Sequence, residues 1–137
     1  MSNPLSRRAF TSTLATVAAA ILVARREAFA GSAPSHPDPR PGITGRDVLT
    51  KEQLAKTPGL IPLFDGIREI PEVADGIRCN CGCTDLPVLR SLLSCFEGRG
   101  MARDCMICQG QARLAIRLHK EGKTLDQIRT AIDAKFA

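Results

Sequence analysis

The stretch Cys105-Met-Ile-Cys-Gln-Gly-Gln-Ala-Arg-Leu-Ala-Ile-Arg-Leu-His-Lys-Glu-Gly-Lys-Thr-Leu-Asp-Gln-Ile-Arg-Thr-Ala-Ile-Asp-Ala-Lys-Phe136 decides the fold class. It predicts a long helix from about Ala102 to Glu121, broken at Gly122. Thr124-Leu-Asp-Gln127 then fits a capping box. In that motif the threonine hydroxyl accepts from the third helical amide while the glutamine reaches back to the cap. Leu125, Ile128, Ile132 and Phe136 form the apolar stripe of the final helix. No alternating apolar run in the chain is long enough for a strand. The class is mainly α: a small, cysteine-clustered helical domain after a flexible N-terminal segment.

Working toward the N-terminus, Asp85 can cap a helix with Pro87 in its first turn. Leu89, Leu92, Leu93 and Phe96 recur at i, i+3, i+4 and i+7, and Gly98 and Gly100 end the run. Residues 58–78 hold prolines and glycines among Leu60, Ile61, Leu63, Phe64, Ile67, Ile70 and Val73. They read as loops with a helical turn around 71–75. A short helix is expected from Thr50, where Thr50-Lys-Glu-Gln53 fits a capping box, to just before Pro58. Residues 31–46 are rich in proline and glycine and read as a flexible tether, with His36 a solvated loop residue. The domain then spans 47–137.

Residues 1–30 read as a signal peptide. Ser6-Arg7-Arg8-Ala9-Phe10 sets a twin-arginine pair before the apolar stretch Leu14 to Ala24. Ala28-Phe29-Ala30 gives an Ala-x-Ala cleavage pattern. The apolar run is about half of what a spanning helix requires, so membrane contact is expected only through the uncleaved signal. This N-terminus resembles bacterial twin-arginine translocation signals, which implies a periplasmic or extracytoplasmic destination.

Cleavage changes the charge balance. Four of the 19 basic residues and one of the 14 acidic ones lie in the signal, which leaves 15 against 13 and a balance of +2 rather than +5. The remaining bases are scattered, and Trp and Tyr are absent. Neither a nucleic-acid footprint nor a stacking platform is present. About a hundred mature residues make one small domain with a thin core, which gains from a staple or a metal.

The six cysteines, Cys79, Cys81, Cys83, Cys95, Cys105 and Cys108, supply one. Cys105 and Cys108 stand i, i+3 at a helix start, where unpaired amides favour thiolate. Cys79, Cys81 and Cys83 alternate, and a disulfide between cysteines one residue apart is strained, so distant partners or a metal suit them better. All six are candidate metal ligands. With thiols and no carboxylate cage the ion should be soft: copper or zinc, ahead of an iron–sulfur cluster whose cysteine runs are not matched. His119 lies about 16 Å along the helix from Cys108 and cannot share its metal.

Arg78-Cys-Asn-Cys-Gly-Cys83, Ser91-Leu-Leu-Ser-Cys-Phe96 and Cys105-Met-Ile-Cys-Gln109 together resemble bacterial exported proteins named for a Pro-Cys-Tyr-Cys-Gly-Cys motif. The likeness spans about residues 70–136, with Arg78 in place of the motif's proline and Asn80 in place of its tyrosine. It implies an extracytoplasmic cysteine-rich domain. Residues 105–136 also show a weaker local likeness to the Cys-x-x-Cys thiol-oxidoreductase subunit of cytochrome c maturation.

The function expected first is soft-metal binding through thiolates, with a metal ion and a protein as partners. Two alternatives stand beside it. One is a disulfide-stapled interaction module, and the other a thiol–disulfide oxidoreductase using Cys105 and Cys108. No Ser-His-Asp set, phosphate loop or carboxylate pair supports hydrolase or nucleotide chemistry, so an enzyme is the less favoured class.

Overall fold

The computed structural model describes residues 35–82, 86 and 88–137; the expected signal, together with Cys83, Asp85 and Pro87, lies outside the described residues. A 3-10 turn at Pro58–Leu60 runs into α1 (Ile61–Glu69). Then come α2 (Pro71–Asp75), α3 (Leu92–Phe96), α4 (Met106–Lys120) and α5 (Leu125–Phe136). Among the described residues there is no strand, only an isolated antiparallel bridge between Val48 and Glu97. The mainly helical class is therefore correct.

The C-terminal hairpin forms as its sequence predicts. Thr124 Oγ1 accepts from the Gln127 amide at 3.3 Å, and Gln127 Oε1 accepts from the Thr124 amide at 3.0 Å. Ile128 and Ile132 are fully buried. α5 packs on α4 where Gly110 faces Phe136. A Cβ at that position would stand 3.0 Å from the ring.

Other elements differ from expectation. The capping box at Thr50 does close, with Thr50 N donating to Gln53 Oε1 at 2.8 Å. Yet residues 51–56 form a run of turns rather than a helix. After Leu54 N–Thr50 O the bonding shifts to i+3, with Ala55 N–Glu52 O and Thr57 N–Leu54 O, and Pro58 stops the run. Conversely, Ile61–Glu69 is a helix where loops were expected. Pro62 sits in its first turn, where a missing N–H costs nothing. Gly66 has a packing reason, since a Cβ there would lie 2.7 Å from Ile116 Cδ1 on α4. α3 begins at Leu92 with Ser91 as cap, later than an Asp85 cap implies. α4 begins at Met106, four residues later than Ala102, with Cys105 as cap.

The core gathers around Phe64 and Phe96, both fully buried, whose rings meet at 4.7 Å between centroids and 58° between planes. A tilted pair of this kind adds roughly 0.5–1.5 kcal/mol to the burial of each ring. Leu54, Ile67, Ile77, Leu92 and Leu93 complete it. Beside them lies one fully buried carboxylate. Asp75 accepts from the Arg40 guanidinium (2.9 and 3.1 Å) and backbone amide (2.8 Å), from Arg90 (2.8 Å) and from Ser91 Oγ (2.9 Å).

That network overturns the tether reading for residues 35–46. Arg40 is tied to Asp75, and the carbonyls of Pro37 and Asp38 accept from Arg129 and Arg90. His36 is not a solvated loop residue. Its ring is 11% exposed, with Nε2 at 3.0 Å from Asp133 and Nδ1 accepting from the Arg78 amide at 2.9 Å. A proline-rich segment cannot hold a ladder of its own, but its polar groups can be satisfied by side chains of a neighbouring surface.

Candidate metal centre

Three hydrogen bonds from three parts of the chain hold the backbone that leads into Cys79. Arg129 Nε donates to Gly76 O at 2.8 Å, Leu92 N donates to Ile77 O at 2.7 Å, and Arg78 N donates to His36. On the other side Asn80 N donates to Gln111 Oε1 of α4 at 3.3 Å. The segment is thus clamped between α3, α4, α5 and the N-terminal strap. Cys79 emerges fully buried.

Its sulfur meets that of Cys108, the third residue of α4, at 3.3 Å and that of Cys81 at 3.3 Å; Cys81 and Cys108 are 3.6 Å apart. These three sulfurs all lie within 4.8 Å of one another, close enough to hold one metal ion. Cys95 on α3 stands against the same cluster and hydrogen-bonds with Cys79 and Cys108. Its own thiol also reaches Ser91 O at 3.7 Å. Cys105 is not one of the three: half-buried, it caps α4 by accepting from the Cys108 amide at 3.5 Å. Of the six candidate ligands the structure thus brings Cys79 and Cys81 against Cys108. Cys105 stays outside the triangle. His119 is exposed near the other end of α4.

Oxidation state separates the sulfurs. Cys79, Cys95, Cys105 and Cys108 are not disulfide-bonded, so a framework pairing all six cysteines is not formed. Cys81 is disulfide-bonded, and it becomes a metal ligand only when reduced.

Among these four thiols the charge settles on Cys79. Hydrogen bonds from Cys108 and then Cys95 stabilise the Cys79 thiolate against burial. A backbone bond at Cys81 and the nearby Arg78 charge add to this, and its pKa is lowered to about 4. The Cys79 anion in turn drives Cys108 far upward, with Cys95 and burial adding to the shift. Cys95 is drawn down by Cys108, but the Cys79 hydrogen bond, burial and neighbouring negative charge outweigh that and raise it to about 12. The expectation that a helix start favours thiolate fails at Cys108 for a plain reason. A hydrogen-bonded anion 3.3 Å away acts more strongly on Cys108 than the partial charges of helix amides do.

One thiolate should therefore persist in mild acid. The thiolate absorbance near 240 nm of the metal-free protein is expected to titrate around pH 4, and to lose that step in Cys79→Ser. A first thiolate appearing only above pH 8 would contradict the arrangement.

Two polar residues of the site have no counterpart in the sequence reading. Gln111 is fully buried, and its Nε2, like Asn80 Nδ2, is a buried donor with no partner. A signal was available: Gln111 lies one turn beyond Cys108 on the face that also carries Ala112 and Ala115. A glutamine among such residues needs a partner. No family model, curated protein sequence or solved structure matches this chain.

Proposed function

We propose that the protein binds a soft metal ion, cuprous copper or zinc, through the thiolates of Cys79, Cys81 and Cys108, with Cys95 supporting them. The observation that carries this reading is the sulfur triangle itself. Three sulfurs from two distant parts of the chain converge in a mostly buried cluster, and sulfur-rich sets of this kind select soft ions over calcium or magnesium. Ionisation of Cys79 already prepares one ligand, and metal binding displaces the remaining protons.

The same reading places the protein outside the cytoplasm, on the strength of Arg7-Arg8 and Ala28-Phe29-Ala30. It makes the chain a relative of the exported proteins with the Pro-Cys-Tyr-Cys-Gly-Cys motif. Twin-arginine export carries folded proteins, so an ion inserted before export suits a site whose cysteines must be reduced. The exposed apolar side chains Met106 and Ile107, beside Cys108 at the start of α4, offer a surface for a protein that delivers or receives the ion.

The test is a metal titration of the full chain against a competing chelator, before and after reduction with a phosphine. Reduced protein is expected to take one zinc or cuprous ion per chain, and oxidised protein much less. Equal, weak uptake in both states would remove the metal reading. A second reading would then stand on the Cys79 thiolate, whose sulfur lies 3.3 Å from the disulfide-bonded sulfur of Cys81 and could exchange with it.

A further inference from the structure

A groove of about 550 Å³ opens between α1 and the C-terminal half of α4. Its apolar lining comes from Pro62 and Leu63 of α1 and from Ile116 of α4. Leu63 is buried and Ile116 partly so, which leaves this apolar surface recessed. Arg113, Arg117 and Lys120 line the same groove. All three are exposed and stand at i, i+4 and i+7 on one face of the helix.

Among the described residues none of these three cations makes an ion pair or a side-chain hydrogen bond, whereas Arg40, Arg46, Arg68, Arg90 and Arg129 all do. Glu121 lies in the same lining and is not paired with them. Like charges at i, i+4 destabilise a helix. The helix dipole offsets that for Arg117 and Lys120 in the last turn, but Arg113 lies a turn earlier. Residues 31–137 hold 15 bases against 13 acids, so the triplet is a local concentration and not the overflow of a basic chain.

Charge and shape together select an occupant. The cations span seven residue steps, about 10 Å along the axis at 1.5 Å per residue. A single carboxylate or phosphate cannot meet all three, whereas acids on successive turns of a chain can. A flat membrane surface would meet the cations but not the recessed Leu63 and Ile116. Residues 1–34 of this chain carry four bases and one acid, which is the wrong sign.

We propose that this groove binds an acidic amphipathic helical segment of another protein, with apolar side chains against Leu63 and Ile116 and carboxylates on Arg113, Arg117 and Lys120. In helix-in-groove recognition apolar anchors supply affinity, and complementary charge supplies orientation and rate. The inference stands apart from the metal-binding reading.

The experiment uses the full chain and a fluorescein-labelled peptide of three Glu-Leu-Leu-Glu repeats, followed by anisotropy, with amide chemical shifts mapping the contact. Saturable one-to-one binding is expected, weakening as salt rises, with shifts at Leu63 and Ile116 and none at Met106. A peptide of Glu-Ser-Ser-Glu repeats, equal in charge, should bind at least about tenfold more weakly. Arg113→Gln/Arg117→Gln should weaken the leucine peptide by about tenfold, since each exposed pair is worth up to about fivefold. The wild-type shift map decides the location even if that variant does not fold. The proposal is overturned if the leucine peptide does not saturate, if the serine peptide binds as well, if the folded double variant binds as wild type does, or if the shifts fall elsewhere. Capture of the protein by phosphatidylglycerol vesicles but not by the peptide would give the face to a membrane. A dimer that dissociates in Arg113→Gln/Arg117→Gln would give it to a second copy. Either result also overturns the proposal.

Discussion

Cys108→Ser is expected to lower the affinity of the reduced protein for zinc or cuprous copper by about 1,000-fold, equivalent to about 4 kcal/mol. Cys108 contributes one corner of the sulfur triangle and is fully buried, so its loss leaves two sulfurs of the three. A serine hydroxyl is a hard, protonated donor and a poor substitute for thiolate on a soft ion. Cys79→Ser should cost at least as much, since it removes the one thiolate already ionised. Cys105→Ser makes the informative contrast. Cys105 is an N-cap whose sulfur accepts from the Cys108 amide, and serine is a better cap than cysteine. Its metal affinity should stay within about threefold of wild type, with stability unchanged or higher. If Cys105→Ser loses the ion as completely as Cys108→Ser, the site is the full Cys-x-x-Cys pair and the triangle is wrong.

Asp75→Asn is expected to destabilise the domain by about 3 kcal/mol, in the range for removing one partner of a buried charge network. The carboxylate receives four side-chain and one backbone hydrogen bonds, from Arg40, Arg90 and Ser91, and an amide can satisfy only part of that set. Burial alone would raise its pKa. The bonds from the Arg40 side chain and backbone, from Ser91 and from Arg90 outweigh burial and lower it to about 2. A depressed carboxylate pKa adds stability that is fully present above the unfolded value near 4. That stability is lost as pH falls toward 2. The loss over that window is about 2 kcal/mol, because each pKa unit is worth about 1.4 kcal/mol. Denaturant melts of wild type and Asp75→Asn at pH 6 and pH 2.5 check both parts. The gap between the two proteins should narrow in acid. A constant gap would mean that Asp75 acts through shape and not through charge.

These two effects connect. Ser91 hydrogen-bonds Asp75 and caps α3, the helix bearing Cys95. Arg90 and Arg40 tie the N-terminal strap to the same carboxylate. Loss of Asp75 should therefore loosen the wall behind the sulfur cluster as well as the core.

Local signals in the chain were sufficient where a bond is made between near neighbours. Both capping boxes close as written, Gly122 ends α4, and Ile128 and Ile132 fill the core from α5. They failed where the deciding contact is remote. Gly66 reads as a helix breaker until Ile116 is seen to need its missing Cβ. The segment around His36 reads as a tether until Asp133 and the Arg78 amide are found on either side of the ring.

The sequence by itself determined the helical class, the two C-terminal helices and the gathering of every thiol into one stretch, because helix periodicity, caps and residue spacing act over a few positions. Tertiary structure decided which sulfurs meet and which one carries the charge. Cys79 and Cys108 lie 29 positions apart in sequence and 3.3 Å apart in space. Only packing of the 76–80 segment against α3, α4 and α5 sets that distance. Electrostatics at that range then overrides the helix-terminus effect that Cys108's position implies.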